Sequence, residues 1–123
     1  MKEGEDIMAA NEKTVEYSAC NICPRFEYTF NILGKKWNGL IIETLLDGPK
    51  RFKDITTSID GVSDRVLAER LKELEAENLI KRPEGQENNP RGGYCLTEKG
   101  QDLRYIMDTV HDWSDKWIDI EDK

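Results

Sequence analysis

The chain has 123 residues, with 18 lysines and arginines against 25 acidic side chains and a net charge of −7. That length supports one domain with a single core, and a 37% hydrophobic fraction beside a 35% charged fraction describes a soluble, helix-rich protein. No apolar run approaches the ~20 residues of a bilayer span, and residues 1–30 hold no signal-peptide block, so a cytoplasmic protein with reduced cysteines is expected.

Residues 1–15 are polar, acidic and without periodicity, which predicts a mobile tail ahead of a single domain over 16–123. Pro24 then stands where a helix can begin, and Phe26, Phe30 and Leu33 give it an apolar face up to Gly34. A second helix is predicted from about Lys36 to Leu46, with Leu40, Ile41, Thr44 and Leu45 facing inward, closed by Asp47-Gly48-Pro49. Arg51-Phe52 reads as a short strand before a third helix over Lys53 to Ile59. The fourth helix runs from Ser63, its N-cap, to about Asn78, with Leu67, Leu71 and Leu74 on one face and Arg65, Glu69 and Lys72 opposite. Two strands, Ile80 to Pro83 and Gly93 to Leu96, flank a loop too polar to pack, and Thr97 caps a long final helix.

That order of elements is a winged helix-turn-helix, an α+β and mostly helical fold, in which the fourth helix is the recognition helix. The negative charge does not oppose DNA binding, because it sits at the ends. Residues 1–16 carry two basic and five acidic groups, residues 102–123 three and seven, and the stretch between has thirteen of each. Electrostatic footprint rather than total charge decides whether phosphates are neutralised. The candidate DNA contacts are Lys35, Lys36, Lys53, Ser63, Asp64, Arg65, Ala68, Glu69, Lys72 and Arg91. The partner expected from them is double-stranded DNA with a pseudo-palindromic site.

In the final helix, Leu103, Ile106, Val110, Trp113, Trp117 and Ile120 are spaced 3, 4, 3, 4, 3, the period of a helix seam. The face either packs on the domain's own core or joins two subunits. Two tryptophans near a terminus favour the subunit interface, and a homodimer would present two recognition helices.

The runs Cys23-Pro24-Arg25-Phe26-Glu27, Leu33-Gly34-Lys35-Lys36-Trp37-Asn38-Gly39-Leu40-Ile41-Ile42 and Asp47-Gly48-Pro49-Lys50-Arg51-Phe52 resemble the HxlR (DUF24) family of bacterial regulators, relatives of the MarR type. So do Arg65-Val66-Leu67-Ala68-Glu69-Arg70-Leu71-Lys72-Glu73-Leu74-Glu75, Tyr94 and Leu96-Thr97-Glu98-Lys99-Gly100. The resemblance covers about residues 20–118. Within the family, the Cys-Pro start and the Trp-Asn-Gly-Leu-Ile-Ile segment are most similar to repressors that sense quinones, diamide and other thiol-reactive electrophiles. It implies a homodimer held by N- and C-terminal dimerisation helices (Phe26, Phe30, Leu103, Ile106, Val110, Trp113, Trp117), a recognition helix in the major groove and a wing against the minor groove. The wing departs from the family pattern. Residues 83–93 contain no β-branched side chain, so short strands and a tip mobile until bound are expected, and Glu84 and Glu87 oppose the phosphate contact carried over to Arg91.

Cys23 precedes Pro24 and would lie at a helix N-terminus beside Arg25, where the helix dipole and open amides favour a thiolate. From the residues alone a buried structural cysteine is the stronger reading; the resemblance reverses that and implies a redox- or electrophile-sensing thiol. Cys20, at Cys20-x-x-Cys23 spacing, suits a local disulfide, a resolving role or half a metal site, and Cys95 reads as a small core residue. Rival functions are a thiol-disulfide redox protein, which lacks the βαβ context such motifs need, and a metal-responsive regulator, for which two cysteines and His111 fall short of four ligands. A small-molecule-responsive regulator of the same fold is a third. One histidine, no phosphate loop and scattered carboxylates support no catalysis, so a non-enzyme without cofactor or metal is expected.

Overall fold

The computed structural model describes residues 22–89 and 91–120; the predicted acidic tail and Cys20 lie outside the described residues. The described chain divides into two compact units, one ending at Leu33 and the other beginning at Gly34. The first contains α1 (Pro24–Leu33), which starts on its proline as expected, with Glu27 N–H donating to the Cys23 carbonyl at 3.0 Å. None of its side chains is buried, and the Phe26 and Phe30 rings stack at 4.8 Å along its exposed side.

The second unit holds α2 (Asn38–Leu45), α3 (Phe52–Ser58), α4 (Asp64–Ala76), β1 (Ile80–Lys81), β2 (Cys95–Leu96), α5 (Glu98–Gln101) and α6 (Arg104–Trp117). Its core is made by Ile41, Ile42 and Leu45 of α2, Ile55 of α3, Leu67, Leu71 and Leu74 of α4, and Leu79, Ile80 and Leu96 from the strand region. The predicted inward stripe of α2 needs correction. Leu40 is 53% exposed and Thr44 is half-buried with its hydroxyl on the Leu40 carbonyl, while Ile42 and Asn38 are buried in their place. Adjacent Ile41 and Ile42 are both covered because this short helix is packed on more than one side, and a single-face pattern does not describe it.

Arg51-Phe52 is not a strand. The Asp54 carboxylate accepts the Arg51 N–H at 3.2 Å and turns the chain into α3 with Arg51 as N-cap, leaving a single antiparallel bridge from Lys50 to Tyr94. By contrast α4 follows its sequence closely. Ser63 Oγ accepts the Val66 N–H at 3.1 Å, and the helix closes on Asn78, which takes a left-handed φ of 63°. Leu79 N–H then reaches the Leu74 carbonyl at 3.0 Å, and Asn78 N–H the Glu75 carbonyl at 2.9 Å, satisfying the last carbonyls of α4.

The wing strands pair Ile80 with Leu96 and Lys81 with Cys95; they are short, as the lack of β-branched residues predicts, and at two residues each they stop short of the expected Ile80–Pro83 and Gly93–Leu96. Thr97 caps as expected, accepting from Gly100 N–H at 3.0 Å while donating to the Asn78 carbonyl at 2.7 Å. The long final helix is nevertheless broken at Asp102-Leu103. Gly100 packs so closely on the Leu79 carbonyl that a Cβ would stand 2.3 Å away, so α5 follows the strand region, and α6 restarts from Leu103 with no side-chain cap. It ends at Trp117, which leaves Ile120 off the helical seam.

Candidate functional site

The α3–α4 pair and the hairpin behind it define the candidate DNA-reading surface. Ile59 and Val62 are buried in the turn, Gly61 adopts φ 93°, and Ser63 starts α4 with its three leucines pointing into the core. The opposite face is thereby forced outward. Arg65, Ala68, Glu69 and Lys72 are all exposed at i, i+3, i+4 and i+7, with Ser63 and Asp64 exposed at the helix start, so six of the predicted contacts share one surface. The Arg65 side chain is 89% exposed and its Nε lies 3.7 Å from Glu69 Oε2, a pair too solvated to hold it fixed.

The remaining predicted contacts sit on other elements. Lys53 is exposed on α3, and Arg91 is exposed in the wing loop, where its backbone N–H donates to Asn89 Oδ1 at 2.9 Å. Lys36 lies over the Trp37 ring at 4.9 Å. Lys35 Nζ is engaged within the protein, 3.0 Å from Glu73 Oε2.

Three structurally important side chains escaped sequence reasoning. Arg70 is half-buried against the chain before α2, Arg82 lies 4.2 Å over the Tyr94 ring with Nη1 on the Gly93 carbonyl at 3.3 Å, and Trp37 holds a left-handed φ of 84°. The Arg82–Tyr94 stack fixes the base of the wing. No contiguous signal in the sequence pointed to it, because the two partners are brought together by the hairpin.

Cys23 occupies the N-terminal boundary of α1 and is half-buried, with its carbonyl accepting the Glu27 N–H. Cys95 is half-buried in β2, less covered than a core position. Among the described residues, no group of three or more His, Cys, Asp or Glu side chains is arranged to hold a metal ion. No helix among them is long and apolar enough to cross a membrane. His111 is exposed on α6, with Nε2 2.6 Å from Glu43 Oε2. On α6, Ile106, Val110, Trp113 and Trp117 are uncovered, the two tryptophans at 58% and 63%, and Tyr105, Ile106, Thr109, Val110 and Trp113 line an open apolar groove. This face does not pack on the unit's own core. Leu103 alone of the predicted seam is half-buried.

Capped recognition helix, preceding helix and short hairpin together make a winged helix-turn-helix of the kind that transcription regulators use to bind DNA. The model of the HxlR-like helix-turn-helix family matches residues 32–122, and the chain belongs to that family. Its relatives include the HTH-type transcriptional regulator YodB of Bacillus subtilis (strain 168), 46% identical over 101 residues that cover 82% of this chain and 90% of that protein. The crystal structure of quinone-bound YodB from B. subtilis matches with a TM-score of 0.68 at 46% identity, covering 78% of this chain and all of that one (100%). The redox regulator HypR in its oxidized form matches with a TM-score of 0.69 at 32% identity, covering 80% and 100% of the two chains. The protein is a transcription regulator of this family, similar to regulators known in redox- and quinone-dependent states.

Proposed function

We propose that the protein is a repressor that binds a pseudo-palindromic operator as a homodimer and is released when Cys23 is oxidised or alkylated. The observation that carries the reading is the pairing of an outward, mixed-charge α4 face with a half-buried cysteine at the start of α1. Lys72 and Arg65 supply base and phosphate contacts in the major groove, and Arg91 meets the backbone or minor groove beside it. Homodimerisation uses the exposed aromatic and aliphatic faces of α1 and α6. No catalytic step, cofactor or metal belongs to this activity.

The thiol chemistry is that of a helix N-terminus. The positive end of the helix favours the anionic sulfur, which adds to a quinone ring carbon to leave a hydroquinone thioether, or attacks a peroxide oxygen, breaking the O–O bond and releasing hydroxide to leave a sulfenic acid. An adduct at the first turn changes how α1 is held, and two half-sites about 34 Å apart tolerate little change in the spacing of paired recognition helices. The quinone-bound state of YodB and the oxidized state of HypR support an electrophile or oxidant as inducer for this chain.

The test uses a fluorescent duplex from the region upstream of the protein's own gene. Wild type is expected to bind it and to release it on treatment with diamide or benzoquinone, whereas Cys23→Ser binds and stays bound. Release of the Cys23→Ser variant at the same oxidant dose, with another cysteine modified first by mass spectrometry, would refute the sensor assignment. Absence of binding to any upstream duplex would refute the repressor reading.

A further inference from the structure

α4 is referenced to one short turn, residues 35–37, at its middle and just ahead of its N-terminus. At the middle of α4, Arg70 donates its Nε–H to the Lys36 carbonyl at 3.1 Å across 34 residues of sequence. Its side chain is only 16% exposed, and Nη1 stands 3.6 Å from Glu73 Oε2 and 3.9 Å from Glu69 Oε1. Glu73 in turn accepts from Lys35 Nζ at 3.0 Å. At the N-terminal end, the Trp37 ring lies against Gly61, two residues before the Ser63 cap, where an added Cβ would stand 3.5 Å from Cη2. Trp37 keeps its left-handed backbone, a conformation disfavoured for a bulky residue and held only where the surroundings fix it.

Exposed ion pairs of this length contribute little by themselves. The half-buried guanidinium is different, because its Nε–H holds a main-chain carbonyl in a directed hydrogen bond while Nη1 stays within ion-pair distance of Glu73. We infer that Arg70 and Trp37 are positioning residues for DNA recognition: without touching a base, they set how α4, and with it the outward Arg65, is presented. The inference rests on α4 being the recognition helix, as proposed above.

The experiment measures binding to a duplex selected by the wild-type protein from a randomised library. Arg70→Lys keeps the charge and removes the fork, so affinity is expected to fall about tenfold, close to 1.4 kcal/mol. The slope of log affinity against log salt should not change, since no phosphate contact is lost. Arg65→Ala should cost less in the Arg70→Lys background than in wild type, because the pose it depended on is already gone. Trp37→Phe should show the same non-additivity. A salt slope reduced by about one unit in Arg70→Lys would instead make Arg70 a direct phosphate contact, and equal costs of Arg65→Ala in both backgrounds would remove the positioning role. If Arg70→Lys does not fold, Glu73→Gln takes its place with the same expectation of non-additivity, and additivity there overturns the inference. If Arg65→Ala leaves wild-type affinity unchanged, the recognition-helix reading fails and this inference falls with it.

Discussion

His111 Nε2 lies 2.6 Å from Glu43 Oε2, tying the middle of α6 to α2, and Arg104 Nη2, about two turns earlier on α6, donates to the Leu46 carbonyl at 3.0 Å. The hydrogen bond and charge of Glu43 raise the pKa of His111 above 6.5 against an opposing burial effect, with Asp115 and Asp108 on its own helix adding lesser contributions. A raised folded-state pKa means that the imidazolium form stabilises the fold. That contribution is fully present below the unfolded value and is lost as pH rises through the folded one. Both partners are exposed, so the effect is small. The stability difference between wild type and His111→Gln in urea melts is expected to be larger at about pH 5.5 than at about pH 8.5, on either side of the histidine range. An identical difference at both pH values would show that the pair does not depend on charge.

The wing should be sensitive to its hinge glycine. Gly93 is buried with φ 87°, and a Cβ there would stand 2.6 Å from the Lys50 carbonyl oxygen and 3.3 Å from the Arg51 Cα. Both neighbours are backbone, held by the paired Lys50–Tyr94 bonds of 3.0 and 2.8 Å, so neither can yield cheaply. Gly93→Ala is expected to destabilise by about 1–3 kcal/mol from the backbone conformation alone. Calorimetry checks this, and an unchanged melting temperature would mean that the hinge is not the fixed point described here.

How much of this was legible in the sequence depends on how local each cause is. Ser63 and the leucines at 67, 71 and 74 act within one helix, and cap, face and boundaries followed from their spacing. The family motifs, likewise contiguous, carried the fold and the DNA-binding class. The inward face of α2 was misread at Leu40 because burial there is set by neighbours far along the chain. Arg51 was misread because an arginine N-cap carries no propensity signal, the turn being made by Asp54 three residues later. The break before α6, where Leu103 N–H turns to the Gly100 carbonyl at 3.1 Å, carries no glycine or proline at 102–103 to signal it. Arg70 was invisible as a brace because its acceptor is a main-chain carbonyl 34 residues away.

DNA contacts should divide into two kinds. Arg65, on the outward face of α4, is expected to pair with a base, so Arg65→Ala should cost about 1–3 kcal/mol and relax preference at one base pair. Arg91 lies in the loop near Glu84 and Glu87 in sequence and is expected to meet the backbone or minor groove. Arg91→Ala should weaken all duplexes alike and make the salt dependence shallower by about one unit. Binding titrations at several salt concentrations on matched and mutated duplexes separate the two. Wild-type behaviour from both variants would overturn the placement of recognition helix and wing.

Assembly is the last consequence, and it follows from what α6 leaves uncovered. Ile106, Val110, Trp113 and Trp117 lie at seam spacing on one helix, and all four are exposed on a unit whose own core is already closed by α2, α3 and α4. Contiguous apolar area of this kind marks an interaction face. Each large side chain removed from water contributes roughly 1.5–3 kcal/mol, so several of them meeting their copies across a twofold axis outweigh the entropy of association. A dimer is expected at micromolar concentration by light scattering, with melting temperature rising as protein concentration rises. Trp113→Asp places a charge in the groove formed with Tyr105, Ile106, Thr109 and Val110 and should yield monomers that keep their helical content. Those monomers should bind DNA far more weakly, because one recognition helix cannot span two half-sites. A wild-type monomer, or a Trp113→Asp variant that stays dimeric, would show that α6 is not the subunit interface.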